Sequence, residues 1–566
     1  MRLADCLNGA DIHTLQAIAR RSRLECHKNS KNSLMQAILS YYADPKEMTA
    51  SFTHMSKVYR SVMNQIIFAT REQFGFEEIQ SFVKRAVAQA EVPDIESLVL
   101  QAERFSLEQV PKKKSSKPLR KKKTKACLPL DSVKLQEAAE QAILEELVET
   151  GLVFQTGKTD GRMLYRMPDD VRQRMRKFIS SEYRSRVLVY EGTPMAYRDD
   201  EFALVRDICT FLQYVDRHEV KLTHDGAIFK RQQLQMMELL ECQEELSPRG
   251  WRFGYGRRFH DYPDRFALLY DFCHHRNLIV ESEEGILRIG VIDDWLQMDK
   301  QACLMLLFQY WRSYYRKAIP RLSLALAVIG HTLHAAWVER ESLARIVLDY
   351  VDSYYYDSAE QVVQQRILSM LCHLGIIARG QTDDGRSLLR LTDLGACILL
   401  DEAKTDERFQ DSVAETFIVQ PNFDVLLPSN TATHIGWELS KLAELKQADG
   451  MYIYRFTRDS IVGALQNGWT EQSVLTFLQA HIAGILPGNV ETTIVQWCRQ
   501  HGNVVFDRRV VVTCKSEQSL REIAALPHLK KVIEVIGERH ALVDEQTMPE
   551  VLKALESLGE SPQLNL

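Results

Sequence analysis

The sequence lacks the patterns that mark a secreted or a membrane protein. Its eleven cysteines are scattered without a CxxC pair, which argues against a zinc ribbon or a disulfide framework and for a reducing compartment. The first residues contain no apolar signal core. The longest apolar helix candidate, residues 322–338, is interrupted by Ser323, His331 and His334 and is short for a membrane span. A buried helix is therefore predicted there.

The usual catalytic motifs are missing as well. The stretch Gly151–Thr159 (GLVFQTGKT) has five residues between its glycines, whereas a P-loop has four. No other segment offers a P-loop, and no GxSxG elbow occurs. Histidine-containing stretches at His218–Leu222, Cys273–His275 and His331–His334 lack partner ligands at metal spacing. We predict no enzyme, cofactor or metal site; an enzyme with a hidden site stays open as a third alternative.

Positive charge is concentrated in one segment. Lys112–Lys125 contains nine basic and no acidic residues; without it, 62 basic residues face 76 acidic ones, and the net charge falls from −5 to −14. With two prolines and almost no apolar residue, Pro111–Lys125 is predicted to be disordered. It is either a solvated spacer, a tether that adds phosphate contacts, or a nuclear address.

The chain contains an internal repeat with an offset of 224 residues. ILEELVETGLVFQTGKTDGRMLYRMPDDV begins at Ile143, and ILSMLCHLGIIARGQTDDGRSLLRLTDLG begins at Ile367. The repeat aligns Gly151 with Gly375 and Arg166 with Arg390, among others. Each copy predicts a helix ended by glycine, a strand, an Asp-Gly turn and a second strand. A looser third copy begins at Leu268.

A helix followed by a hairpin resembles the second half of a winged helix, so the middle of the chain resembles a string of winged-helix modules. The segment from Leu222 supplies a strand and a helix that would precede the third copy, with Lys230 and Arg231 at the start of that helix. Trp251–Tyr262 (WRFGYGRRFHDY) interleaves aromatic and basic residues, which suits base stacking and phosphate binding. The alternative is that its aromatics are core and its arginines pair with carboxylates.

These segments supply the predicted nucleic-acid-binding residues. They are Lys112, Lys113, Lys114, Arg120, Lys121, Lys122, Lys123, Lys230, Arg231, Arg257 and Arg258. Residues 1–45 add two predicted helices joined by RLECHKNSKNS, with apolar stripes that include Leu15 and Ile18 on the first and Leu34 on the second. They resemble the small DNA-binding motifs of the SAP and Rho-N type. A plain helical hairpin is the alternative for this segment.

The C-terminal block begins at Phe417–Ser429 (FIVQPNFDVLLPS), a predicted strand–turn–strand. A helix is predicted over residues 433–446 (THIGWELSKLAELK), and helices capped by Thr457 and Thr470 follow in a regular alternation of strands and helices. The block resembles the N-terminal domain of XPB-type DNA repair and transcription helicases. The residues that carry the resemblance are VQPNFDVLLP (Val419–Pro428), YRFTRDSIVGALQNG (Tyr454–Gly468), VLTFLQAHIAGILPGNV (Val474–Val490) and the following IVQW.

The resemblance implies an α/β module that makes damaged-DNA or subunit contacts and holds no catalytic residues. The helicase motor domains are expected to be absent. Winged helices that end in such a module are also similar in architecture to the subunit of the eukaryotic repair and transcription factor that docks onto this helicase.

The predicted fold class is multidomain, mainly α with α+β, with winged-helix-like repeats and a C-terminal α/β module. The predicted domains are a SAP/Rho-N-like motif (1–45), a helical module (46–110), a basic linker (111–128), winged-helix-like modules (129–200 and 201–300), a helical and winged-helix-like module (301–410) and the C-terminal module (411–566).

The predicted partners are DNA and an XPB-type or other helicase, without a membrane. The expected location is the cytoplasm with the nucleoid, or the nucleus in a eukaryote. The predicted function is non-catalytic DNA binding with a helicase in repair or transcription; the alternative is a protein scaffold without DNA contact.

Overall fold

The protein is multidomain and mainly helical with small antiparallel sheets, as predicted. The computed structural model describes residues 1–44, 46–47, 50, 52, 55–108, 132–159, 162–242, 244, 262–354, 357–400, 414–502 and 508–564, apart from positions 70, 89, 91, 528, 558 and 560. Two compact units divide the chain: one contains residues 1–415, 428–437 and 446–452, and the other contains 416–427, 438–445 and 453–566. No helix in the described ranges is long and apolar enough to cross a membrane.

The N-terminal segment forms three helices rather than the two predicted: α1 (Leu3–Gly9), α2 (Ile12–Arg21) and α3 (Lys31–Ala43). The additional helix, α1, has seven residues, too few for an apolar stripe to be visible in the sequence. Asp11 and Ser30 cap the two longer helices by accepting a backbone N–H. The predicted apolar stripe is buried at Leu15, Ile18 and Leu34.

A first module follows, and its sheet joins distant parts of the chain. Its elements are α4 (Lys57–Phe68), β1 (Gln73–Gly75), α5 (Phe76–Ala88), α6 (Val92–Glu108), α7 (Ser132–Glu149), β2 (Phe154–Thr159) and β3 (Arg162–Arg166). The strand order is β1-β3-β2, and Phe74 of β1 pairs with Tyr165 of β3. The helix and hairpin predicted from the repeat are therefore present, with a third strand from residues far earlier in the chain.

The second module has the same order of elements. After α8 (Asp169–Arg186), β4 (Val189–Tyr190) and β5 (Ala196–Arg198) come α9 (Ala203–Arg217), β6 (Val220–Lys221), α10 (Lys230–Met237), α11 (Asp264–His275), β7 (Ile279–Glu281) and β8 (Ile286–Ile289). The strand order is β6-β8-β7. The helix predicted in the segment from Leu222 is present, but the strand lies before this segment, at Val220–Lys221, and Leu222 forms only an isolated bridge with Ile228.

The third module completes the series. After α12 (Asp293–Gln297) and α13 (Lys300–Tyr315) come α14 (Leu322–Thr332), β9 (Trp337–Glu339), α15 (Arg340–Leu348), α16 (Ala359–Gln361), a π-helical stretch (Val362–Ser369), α17 (Met370–His373), β10 (Ile377–Gln381), β11 (Ser387–Leu391) and α18 (Asp393–Leu400). The strands β9-β11-β10 form the centre of a five-stranded sheet with the order β4-β9-β11-β10-β5. The apolar helix predicted for residues 322–338 is buried but ends at Thr332.

The three modules share one backbone detail. The residue between the last helix and the hairpin has a positive φ angle in each: 67° at Gly151, 56° at Asn277 and 66° at Gly375. Glycine and asparagine adopt this left-handed conformation at the lowest cost, and it is a common way to end a helix. The repeated glycine in the sequence is therefore explained by the turn that each hairpin requires.

The C-terminal block alternates strands and helices, as predicted. Its elements are β12 (Ile418–Val419), β13 (Asp424–Pro428), α19 (Thr433–Leu442), β14 (Glu444–Asp449), β15 (Met451–Arg455), α20 (Arg458–Gln466), α21 (Glu471–His481), α22 (Gly488–Gln500), β16 (Arg509–Thr513), α23 (Glu517–Ala524), β17 (Ile533–Val535), β18 (His540–Asp544) and α24 (Met548–Ser557). The capping roles predicted for Thr457 and Thr470 are confirmed. The helix predicted to reach Lys446 ends at Leu442, because the next residues form a strand of the β12-β13-β15-β14 sheet.

Candidate nucleic-acid interface

Lys230 and Arg231 are the predicted DNA-contact residues that the structure describes. Both side chains are exposed in the first turn of α10, and neither forms an ion pair within the described part of the chain. Two apolar neighbours, Phe229 and Leu234, are also exposed. The start of a helix presents free backbone N–H groups and the positive end of its dipole. The two cations and this helix start together suit a phosphate.

The other predicted contact residues lie outside the described residues. They are Lys112, Lys113, Lys114, Arg120, Lys121, Lys122, Lys123, Arg257 and Arg258. The aromatic stretch that contains the last two ends at Tyr262, which is described. Its ring is fully buried and packs at 5.1 Å from the ring of Phe266, while its hydroxyl oxygen accepts the N–H of Ile228. At this residue the aromatic side chain belongs to the core.

The helices that precede the three hairpins offer no basic face in the described residues. On α7, the exposed side chains include Glu137, Gln141 and Glu145. Helix α11 is buried along residues 265–273, and the π-helical stretch and α17 are largely buried too. These helices are therefore unsuited to binding in a DNA groove, which is flanked by negatively charged phosphates.

The burial of α11 is fixed by a buried ion pair. The Arg265 guanidinium contacts the Asp207 carboxylate, and their side chains are 1% and 0% exposed. Arg265 also donates to the backbone carbonyl of His373 in the third module. Burial raises the pKa of Asp207 despite the attraction of Arg265. Because a buried charge without its partner is costly, this pair keeps α11 in the interior.

The histidine pairs behave as structural residues. Cys273 is buried, whereas His274 and His275 are exposed. His331 packs at 5.5 Å from the ring of Phe68, and burial, assisted by nearby arginines, lowers its pKa to about 4. No cluster of metal-ligating side chains occurs among the residues that the structure describes.

A group of one exposed and two half-buried side chains on the third module was missed by the sequence predictions. The rings of Tyr197 and Trp337 lie 6.1 Å apart, and the Arg390 guanidinium lies over the Trp337 ring at 4.7 Å. We call these three residues the aromatic–arginine patch. They come from β5, β9 and β11, and no local pattern in the sequence links them. Of the three residues, Arg390 is the one that the sequence draws attention to, because the repeat aligns it with Arg166.

The turn that opens the C-terminal block is held by its own block. Phe423 adopts a positive φ of 71°, and its ring packs at 5.8 Å from Trp497. The Asn422 side chain accepts the N–H of Asp424, and Asn489 donates to the carbonyl of Pro421 at 2.8 Å. The predicted strand–turn–strand is confirmed by the antiparallel pairing of β12 with β13. A left-handed phenylalanine is held in place only by such surroundings.

An aromatic groove lies along α21 in the same block. It has a volume of about 670 Å³ and is open to solvent. Its lining includes Trp469, Phe477 and His481, and the rings of Trp469 and Phe477 are 5.9 Å apart. Backbone hydrogen bonds of Phe417 with His481 and Ala483 fix the end of this helix. The following loop carries Ile485, which is 93% exposed.

This block is also the part of the chain that matches a known family. Residues 417–535 match the family described as helicase conserved C-terminal domain. No curated protein matches the chain. The C-terminal region is therefore helicase-related, and the groove, the turn and Ile485 all lie within the matched residues.

Proposed function

We propose that the protein is a non-catalytic, DNA-binding, helicase-associated protein that acts in DNA repair or transcription. In this proposal the C-terminal block docks onto an XPB-type or another DNA helicase. The observation that carries it is the helicase-family match at residues 417–535, in a block that presents an open aromatic groove and a nearly fully exposed isoleucine. Apolar side chains of this kind are typical of sites that a partner covers.

The three repeated modules support a DNA-related role through their topology. Each has the order helix, strand, helices, strand, strand, with the last strand in the centre. This is the order of a winged helix, and we interpret the modules as winged-helix-like domains. Their pre-hairpin helices are buried or acidic, so we assign the DNA contacts to Lys230, Arg231 and the basic segment Lys112–Lys125 instead.

A protein scaffold without DNA contact is the second candidate function. The exposed glutamates of α7 and the burial of α11 favour it, as does the net charge of −14 outside the basic segment. DNA-binding domains are usually basic on one face. The two candidates therefore differ in whether the purified chain binds DNA at all.

The docking half is tested by Ile485→Glu, a change at a side chain that makes few contacts in the free protein. Binding of a purified XPB-type helicase should weaken by about tenfold or more, since a charge replaces a central apolar contact. Val511→Glu is the matched control, because Val511 lies in the same block and is 55% exposed. Equal affinity of both variants and the original chain would refute docking through this loop.

The DNA half is tested by a gel-shift titration over a salt series. Affinity should fall steeply with salt, because each neutralised phosphate releases counterions. Replacing Lys230 and Arg231 with alanine should weaken binding and reduce the salt slope by about two phosphate contacts. No binding at low salt would exclude the DNA function and leave the scaffold.

A further inference from the structure

The sheet of the third module is extended by a strap from outside the module. Residues 189–198 contribute β4 at one edge and β5 at the other. Met195 donates its N–H to Gln381 at 2.9 Å, and Glu339 donates its N–H to Leu188 at 2.8 Å. Both edges are therefore paired, and the strap fixes its side chains on a broad, stiff sheet.

The two faces of this sheet are chemically different. Val338 and Leu389 are paired across β9 and β11 and belong to the main core. Because side chains alternate along a strand, Trp337 and Arg390 lie on the opposite face. Tyr197 is paired with Gly380 on that same opposite face, and a side chain at Gly380 would meet the Trp337 ring at 3.1 Å and Pro194 at 3.2 Å. The aromatic–arginine patch is thus one continuous surface.

The patch is partly exposed and carries a cation without a carboxylate partner. Tyr197 is 64% exposed, whereas Trp337 and Arg390 are half-buried. The Arg390 side chain forms no hydrogen bond or ion pair with another described residue, and its Nε is buried without an acceptor. Arg386, on the adjoining turn, is in contrast paired with Glu339 and Asp384. Arg390 also attracts Asp199, without an ion pair. The Arg390 guanidinium, which lies beside the two aromatic rings, is therefore available to hydrogen-bond a ligand on this face.

We propose that the aromatic–arginine patch binds single-stranded DNA by stacking an unpaired base on Tyr197, beside Trp337, while Arg390 contacts a phosphate. Aromatic rings next to arginine are the elements with which proteins bind single strands regardless of sequence. A duplex hides its base faces, so it gains nothing from the rings. An unpartnered guanidinium favours a phosphate over an uncharged apolar peptide. The inference rests on the proposed DNA-binding function and names the form of DNA.

The test uses the full chain and two fluorescent probes, a 20-nucleotide oligothymidine and a duplex of the same length. Tyr197→Ala should weaken oligothymidine binding about tenfold, which is within the range known for one base–ring stack. Duplex affinity should stay within about twofold. Met195→Ala is the matched control, because Met195 lies on the same strap and is 76% exposed but has no ring; it should change neither affinity.

Arg390→Gln gives a second, independent readout. It should reduce the slope of log affinity for oligothymidine against log salt by about 0.7, the value of one phosphate contact on a single strand. If Tyr197→Ala and Arg390→Gln both bind oligothymidine as the original chain does, the patch has no such role, although DNA binding itself stands. A chain that binds only duplex, or only a proline-rich peptide at this patch, also overturns the inference. Absence of any DNA binding overturns both this inference and the proposed DNA function.

Discussion

The first and third modules share a sequence repeat and a strand order but use the same arginine differently. Arg166 is bound by the carboxylates of Glu72 and Asp169. Its counterpart Arg390 has no such partner and lies over the ring of Trp337. On the first strand of each module, Gln73 pairs with Arg166, whereas the register places Trp337 opposite Arg390. The repeat thus keeps the strand arrangement, while the neighbouring side chains decide whether the arginine is paired with carboxylates or available.

The largest difference between the two modules is expected at the helix-ending glycines. A Cβ atom at Gly375 would lie 2.1 Å from the backbone oxygen of Glu201, whereas at Gly151 it would lie 2.9 Å from the side chain of Ile18. A side chain can move aside, but a backbone carbonyl cannot. Gly375→Ala should therefore lower the stability of its module by about 3 kcal/mol or more, and Gly151→Ala by about 1–2 kcal/mol.

Hydrogen exchange measured separately in the β10–β11 and β2–β3 hairpins checks this difference, because a chain of several modules does not unfold in one step. Equal losses in both hairpins would show that Glu201 moves as easily as Ile18.

A smaller difference is expected when the two arginines are removed. Arg166→Ala breaks partly exposed ion pairs and should cost about 1 kcal/mol at low salt. Arg390→Ala removes a cation–π contact and should cost about 0.5–1 kcal/mol. The two stability losses should differ in their salt dependence. In 1 M salt most of the loss caused by Arg166→Ala should disappear, because exposed ion pairs are screened. The measurement is the same hairpin-resolved exchange, and identical salt dependence would contradict the contrast.

The contributions of Asp169 and Asp199 to the pH dependence of stability should have opposite signs. Burial opposes ionisation of Asp169, but its hydrogen bonds with the N-terminus and Arg166 outweigh burial and lower its pKa. Burial raises the pKa of Asp199. Stability from Asp169 is present above its unfolded pKa and is lost as the pH falls through the folded value. Stability from Asp199 is present below its unfolded pKa and is lost as the pH rises through the folded value.

Between pH 6 and pH 3, exchange corrected for its intrinsic rate should therefore accelerate around β3, and Asp169→Asn should remove that acceleration. Around β5, Asp199 opposes Asp200, whose pKa is raised by burial but lowered overall by Arg265 and Arg379. Asp199→Asn should therefore make exchange around β5 accelerate more on acidification. An unchanged profile in either variant would rule out this assignment.

The smallest effect is expected in the second module, where asparagine replaces the glycine of the other two. Asn277 has a φ of 56°, which asparagine tolerates better than other side chains but less well than glycine. Asn277→Gly should stabilise the β7–β8 hairpin by about 0.5 kcal/mol, since a helix commonly ends in glycine at this position. Slower exchange in that hairpin is the expected result, and faster exchange would contradict it.

Much of the fold follows from local patterns in the sequence. The helix and hairpin of each module have alternating apolar residues and turn glycines, and the caps at Thr457 and Thr470 are local hydrogen-bond motifs. Strands β1, β4 and β5 have two or three residues each, too few for an alternation to be visible. Their existence depends on pairing with distant strands. The same applies to β14, where pairing overrides the helical pattern that leads up to Lys446.

The candidate sites were harder to predict for a related reason. Lys230 and Arg231 were found because two cations stand at the start of a local helix. The aromatic–arginine patch joins residues from three strands, and Trp337 meets Arg390 only because of the register between β9 and β11. Single-sequence patterns contain no information on such a register. The resemblance to a helicase domain placed the C-terminal block, whereas the groove along α21 required the structure.

The pairing of β1 with β3 changes the place of the basic segment in the architecture. Residues 109–131 lie between α6 and α7, and both helices belong to the module that this pairing closes. In topological terms the segment is an insertion within a split domain. The pairing of Phe74 with Tyr165 therefore joins the parts of the chain that lie before and after this segment. Changes in the length or charge of the insertion would therefore leave the pairing of β1 with β3 in place, even where they alter DNA binding.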